Sequence, residues 1–351
     1  MRVLVWYWGR RGAGAQYTLQ IVRALRSVDD VEVFVSLSNA NPLADQTVSL
    51  AHGAQVNPVH SFGGVASALF DPRRNIGSYA RQVRAEVVLH CMISPHTLFG
   101  WRTLHKIPVV TVVHDPAPHP GDEKRIADAA WRMALRRSAR IVAPSQHVGQ
   151  RLRLLTNRPV DVVPFGPLVD PAQDRSGWDP DGPVTFVGRF LPYKGLDLLA
   201  DAWSSLKPDS CRLVVAGEGG ASIEPTLARL AAAKVEVREG WLSEASLAAT
   251  VAGSRALVLP YREASQSGLV PIAHAMGIPV LATDVGALRE QVGSGGWIVS
   301  PLADDLANGL AVLIEDPGEV KRCHDLLQFG VDSSWTEVAH KMAVTLRTAV
   351  L

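Results

Sequence analysis

The chain has 351 residues, 47% apolar and 20% charged, with a formal net charge of +1. That length exceeds one ordinary core and fits two domains, and the composition excludes a disordered chain. No apolar run reaches the ~18–20 residues of a membrane span, and no nucleic-acid partner is expected.

Charge is unevenly distributed. Residues 1–165 carry 20 Lys and Arg against 11 Asp and Glu, a balance of +9, and residues 166–351 carry 15 against 23, a balance of −8. The Arg-rich first half fits an anionic acceptor or an anionic membrane surface, and equally a set of solvated helix faces. Cys91, Cys211 and Cys323 lie far apart without CxxC spacing, which argues against zinc and against a disulfide framework. The opening residues read as a strand too short for a signal-peptide core, so a cytoplasmic setting is expected.

Strand and helix patterns alternate along the chain, the mark of a parallel α/β sheet. Residues 2–6 read as a buried strand, 9–14 as a glycine-rich turn, 15–27 as an amphipathic helix and 31–36 as the next strand. Residues 37–78, rich in small polar side chains, are expected to be loops and short helices. Apolar runs at 86–90, 109–114 and 140–143 continue the sheet. Residues 163–182, dense in Pro, Gly and Asp, break the rhythm as an interdomain linker would. Beyond them strands are expected at 184–187, 212–216, 235–237, 256–259, 279–282 and 296–299, with helices at 195–206, 222–233, 243–253, 267–276, 284–291 and 303–315. Trp335, Val338, Met342, Leu346 and Val350 then stand at helical spacing in a terminal amphipathic helix. The domains expected are 1–165 together with the helix 334–351, a linker at 166–182, and 183–333.

The loop Trp8-Gly9-Arg10-Arg11-Gly12-Ala13-Gly14 lets backbone amides approach an anion, or is a plain tight turn. Tyr17 replaces the third glycine of a dinucleotide fingerprint, and strand 31–36 ends without an acidic residue for a ribose, so NAD is disfavoured. His114 and Asp115 stand at the carboxyl end of a strand, where ligands of α/β folds bind; the alternative is a histidine bonded to its own loop. His90 and His96 sit similarly, without the look of a metal pair.

Gly188, Arg189 and Lys194 follow another strand end. No Asp-x-Asp follows a buried strand, so a diphosphate here would be matched by Arg, Lys and helix dipoles rather than by a metal. The alternative is two surface cations in a turn. Glu263 follows the strand ALVLPY and can accept from sugar hydroxyls. Ser265, Ser267 and Gly268 open the next helix, where the amides of Gly268, Leu269 and Val270 can donate to phosphate. Glu290 is open between donor binding, capping and pairing with Arg289.

These residues carry a resemblance. GRFLPYKGLDLL (188–199), VVAGEG (214–219), PYREASQSGLV (260–270), AMGIPVLATDVGALRE (275–290) and SSWTEVAHKMA (333–343) resemble glycosyltransferase family four, of GT-B fold. The first half is similar more loosely, through its glycine-rich loop, TVVHDPAP (111–118) and IVAPSQHVGQRL (141–152). The resemblance implies two facing Rossmann-like domains, with a C-terminal helix that crosses back to the first. It implies retaining, metal-independent transfer of a sugar from a nucleotide-diphosphate donor to a hydroxyl of a glycan, lipid-linked or small-molecule acceptor. Such an enzyme serves cell-surface polysaccharide or glycoconjugate synthesis, with no cofactor beyond the nucleotide sugar and with peripheral contact at the inner membrane face.

Carried over by the resemblance, Arg189 and Lys194 bind the diphosphate, His114 lies beside the donor sugar, and Gly12 and Gly14 admit the diphosphate near the first loop. Glu263 stands for the first of the family's paired glutamates. Eight positions later, where the second would hold the ribose, stands Pro271, with Ile272 and His274 as neighbours. A sugar-nucleotide 2-epimerase of the same fold and a non-catalytic sugar-nucleotide-binding subunit are the competing readings.

Overall fold

The computed structural model describes residues 1–9, 13–57, 71, 75–116, 125–168, 178–206, 211–329 and 335–351. The chain divides into two compact units, Met1–Leu168 with Ser333–Leu351, and Val169–Asp332. No helix among the described residues is long and apolar enough to cross a membrane.

In the first unit the elements run β1 (Arg2–Tyr7), α1 (Ala13–Arg26), β2 (Glu32–Ser38), α2 (Ala44–Leu50), β3 (Gly53–Asn57), α3 (Ile76–Gln82), β4 (Val87–His90), α4 (Thr97–Trp101), β5 (Val109–Val112), α5 (Arg125–Arg137), β6 (Arg140–Ala143), α6 (Gln146–Arg153) and β7 (Val160–Val162). All seven strands are parallel, in the order β3-β2-β1-β4-β5-β6-β7. Sheets covered on both faces take apolar residues on both, so Val3, Leu4, Val5 and Trp6 are all buried without alternation. The chain steps outward from β1 to β3 and returns at β4, so strand order reverses between β1 and β4.

The second unit repeats the plan with β8 (Val184–Val187), α7 (Leu196–Leu206), β9 (Leu213–Gly217), α8 (Glu224–Ala232), β10 (Glu236–Glu239), α9 (Glu244–Ala252), β11 (Ala256–Leu259), α10 (Leu269–Ala275), β12 (Val280–Thr283), α11 (Leu288–Val292), β13 (Gly296–Val299), α12 (Ala303–Glu315) and α13 (Pro317–Phe329). Its six parallel strands are ordered β10-β9-β8-β11-β12-β13, with the reversal between β8 and β11. The terminal helix α14 (Trp335–Val350) belongs to the first unit. Its Val338, Met342 and Leu346 share one core with Ile21 and Leu25 of α1, and Trp335 donates its indole N–H to the Pro167 carbonyl at 2.7 Å.

Several elements depart from the sequence reading. Residues 53–57, expected in a loop, form the edge strand β3, and residues 160–162 form the short edge strand β7. Neither has the apolar run that marks a central strand, because an edge strand need not bury both faces. Helix α13 was not anticipated at all; Pro317 opens it, and Asp316 Oδ1 accepts from the Glu319 amide at 2.9 Å. The strand read as 109–114 stops at Val112, which leaves His114 in the loop beyond it.

Candidate active site

Apart from Glu290, the residues singled out in the second unit follow the carboxyl ends of β8 and β11, the neighbouring strands at the order reversal. Gly188 closes β8 at φ +130°, a conformation side chains rarely adopt, and a Cβ there would meet nothing within 4 Å. Backbone is therefore open to a ligand at that point. Arg189 follows it, exposed. Lys194 lies with its ammonium 3.8 Å from the centre of the Tyr261 ring and 5.3 Å from that of Tyr193. Aromatic faces attract a cation without neutralising it. Neither Arg189 nor Lys194 forms an ion pair with a described residue.

The two loops are stapled together. Gly195, at φ +67°, passes so close to the Pro260 carbonyl that a side chain would overlap it. The Arg262 amide donates to the Tyr193 carbonyl at 2.8 Å, and the Arg262 guanidinium donates to both oxygens of Asp197, at 2.7 and 3.4 Å. That pairing holds the Asp197 carboxyl below its ordinary pKa, although burial opposes it. Arg262 is thus engaged with Asp197, and Glu263 stands exposed beside it.

The serine-rich turn is held by a residue the sequence did not flag. The Gln291 side chain accepts from the Ser267 amide at 2.8 Å and donates to the Ser267 carbonyl at 3.1 Å. A primary amide offers one acceptor and one donor side by side, which fits it to clamp a peptide unit. Ser267 Oγ in turn accepts from the Leu269 amide at 3.3 Å and lies 3.4 Å from the Tyr261 hydroxyl. The Leu269 amide is therefore engaged, and Val270 is buried, so the helix mouth offers an anion less than the sequence suggested. Glu290 is exposed on α11; its neighbour Arg289 pairs with Asp284 at 2.6 Å, not with Glu290.

The three positions in place of a second glutamate point to the core. Pro271 and Ile272 are buried in α10. His274 packs where a Cβ on Gly295 would lie 2.6 Å from its Nε2, and burial drives its pKa down to about 4.

His114, Gly14 and His90 lie in the first unit. The His114 Nε2 is 3.0 Å from the Cys91 carbonyl, which only accepts, so Nε2 carries the proton and Nδ1 keeps its lone pair. Burial lowers the pKa of His114 and keeps the ring neutral, between Phe165 and Tyr17 at centroid distances of 4.8 and 5.6 Å. Gly14 is buried in α1, where a Cβ would meet Met92 Sδ at 2.7 Å and Tyr7 Cε2 at 2.8 Å. Its missing side chain leaves room for those two neighbours. Gly12 lies outside the described residues. His90 is fully buried and stacked on Trp6 at 4.3 Å, with its pKa driven by burial to about 3, so it does not face a ligand. Among the described residues, no group of three or more His, Cys, Asp or Glu is placed to hold a metal ion.

Comparison with known proteins places this geometry. The family described as Glycosyltransferase Family 4 matches residues 14–170, and the one described as Glycosyl transferases group 1 matches residues 182–316. The chain belongs to glycosyltransferase family four. It is a nucleotide-sugar-dependent glycosyltransferase.

The glycosyltransferase is 26% identical to a D-inositol 3-phosphate glycosyltransferase of Streptomyces bingchenggensis, over 97% of this chain and 86% of that one. It is 27% identical to a GDP-mannose:glycolipid 4-beta-D-mannosyltransferase of Xanthomonas campestris, over 54% of this chain and 55% of that one, so it spans about half of that relative's length. The solved structure of Anabaena HepE in complex with UDP and glucose aligns over 99% of this chain and 100% of its own, with a TM-score of 0.72 at 16% identity. The fold of the glycosyltransferase is accordingly GT-B.

Proposed function

We propose that the enzyme transfers a sugar with retention, without a metal and without any cofactor beyond the nucleotide-diphosphate sugar, to a hydroxyl of a glycan, lipid-linked or small-molecule acceptor. The observation that carries this reading is the pair of stapled loops at the reversal of the second sheet. There Arg189 and Lys194 stand without carboxylate partners among the described residues, beside the open backbone of Gly188. Uncompensated cations at a strand end suit an anion that gains charge as it leaves.

In the proposed reaction the acceptor oxygen attacks the anomeric carbon on the face from which the diphosphate departs. The bond from that carbon to the β-phosphate oxygen breaks, and the acceptor proton passes to the departing phosphate. Arg189 and Lys194 balance the growing charge. The amide of Gly268 joins them at the phosphate, while Glu263 accepts from sugar hydroxyls and Glu290 completes the donor contacts. The glycolipid named for the Xanthomonas relative and the inositol phosphate named for the Streptomyces one support a hydroxyl acceptor in glycoconjugate synthesis.

The test is the double variant Arg189→Ala/Lys194→Ala. Charge-assisted hydrogen bonds are worth about 1.5–3 kcal/mol each, so kcat should fall about 10²–10⁴-fold while Tm stays close to that of the parent. A thermal-shift screen against UDP, GDP and ADP supplies the second readout: the nucleotide that raises the parent's Tm should raise the variant's far less. Unchanged turnover in the double variant would sink the assignment.

A further inference from the structure

Lys194 is fixed at both ends of its side chain. Its backbone closes a short 3-10 turn, Pro192–Lys194, and its amide donates to the Leu191 carbonyl at 2.9 Å. Gly195, the next residue, is pressed on the Pro260 carbonyl directly before Tyr261. At the far end the ammonium rests 3.8 Å from the centre of the Tyr261 ring, well inside the ~6 Å reach of a cation–π contact. The Tyr193 ring lies at 5.3 Å and is only half-buried, so the Tyr261 contact is the stronger. The Tyr261 ring is itself held. It is fully buried, the Tyr261 carbonyl accepts from Thr283 Oγ1, and the hydroxyl lies 3.4 Å from Ser267 Oγ, on the serine turn that Gln291 clamps.

The negative face of an aromatic ring attracts a cation, so this contact fixes the ammonium and leaves its charge whole. A lysine without such a seat populates many rotamers, and ordering them when a ligand binds subtracts from affinity. We infer that Tyr261 is a positioning residue of this site: its ring seats the Lys194 ammonium before the donor arrives and presents it to the diphosphate. The N–H donors turned away from the ring stay available to phosphate oxygens. A carboxylate partner would fix the lysine as well but would cancel the charge that the leaving group needs. The inference rests on the proposed role of Lys194 and adds a residue that acts through it rather than on the donor itself.

Calorimetry on the full chain, with whichever of UDP, GDP and ADP raises the parent's Tm, tests the seat. Tyr261→Phe keeps the ring and serves as the reference. Tyr261→4-fluorophenylalanine and Tyr261→pentafluorophenylalanine keep nearly the same size but drain charge from the ring face. Affinity should fall in that order, to about fivefold or more below the reference. Turnover should fall in the same order, while circular dichroism and the Tm without nucleotide stay together across the series. In a Lys194→Met background the three rings should bind the nucleotide alike. Equal affinities across the series, tighter binding by the fluorinated rings, or a ring effect that survives Lys194→Met would each overturn the inference; weaker binding in Lys194→Met alone would then still uphold the role of Lys194. Unchanged affinity in Lys194→Met alone would remove that role, and this inference with it.

Discussion

Gly195 shows how much a single residue can fix at this site. Its φ of +67° and the Pro260 carbonyl against its Cα leave no room for a side chain. The close approach sets where Lys194 lies relative to Tyr261. Gly195→Ala combines left-handed strain with a backbone collision, so it should destabilise the second unit by about 2 kcal/mol or more and lower kcat as Lys194 shifts. Urea unfolding followed beside turnover checks both; full stability in the variant would mean the approach is not close. The histidines make the complementary point. His90 and His114 look alike in sequence, each near the end of an apolar run. His90 is the last residue of β4, paired in register with Trp6 and sealed under it, whereas His114 stands two residues beyond β5. A shift of two positions separates a core histidine from a site candidate.

At the scale of elements, the serine turn depends on α11 rather than on its own helix. Gln291 makes both bonds to Ser267, while α10 spans only Leu269–Ala275. Gln291→Leu removes both and leaves the Ser267 amide and carbonyl without that partner, at about 1–3 kcal/mol for each group that stays buried. Nucleotide affinity should fall about tenfold with little change in far-ultraviolet circular dichroism; calorimetry against the nucleotide that stabilises the parent is the measurement. Undiminished affinity would detach this turn from donor binding. The central strands were legible because parallel strands buried on both faces leave continuous apolar runs. Strands β3 and β7 escaped because polar residues interrupt them, Gln55 and Asn57 in the one and Asp161 in the other. Helix α13 escaped because its charged face, with Arg322 on Glu319 and Lys321 on Asp325, blurs the apolar stripe.

Across the whole molecule a fully buried histidine in the first unit and a partly buried one in the second give the fold a common acid sensitivity. His90 in the first unit and His274 in the second have pKa values lowered to about 3 and about 4, from 6.5 in the unfolded chain. A histidine held neutral in the fold adds stability above its unfolded pKa. That stability is lost as pH falls below 6.5, because the unfolded chain takes up the proton first. Each should contribute a slope of about 1.4 kcal/mol per pH unit between pH 6.5 and the folded value. His90→Phe should flatten the pH dependence of the first unit's unfolding midpoint between pH 6.5 and 4, and should leave the second unit's slope alone. An unchanged slope in that variant would show that His90 does not titrate on unfolding.

Local sequence sufficed for the alternation of strands and helices, the two units, the terminal helix, and the cations after β8, because each is written in local periodicity or in a short motif. It also carried the family, through motifs concentrated in residues 188–290. Tertiary structure alone decided that Lys194 meets Tyr261, that Arg262 pairs with Asp197 across 65 positions, and that Gln291 holds Ser267 across 24. It likewise decided that Gly14 lies against Met92 and Tyr7. Such contacts follow from which parallel strands lie side by side and in what order. Local pattern fixes the period of an element but not its neighbours.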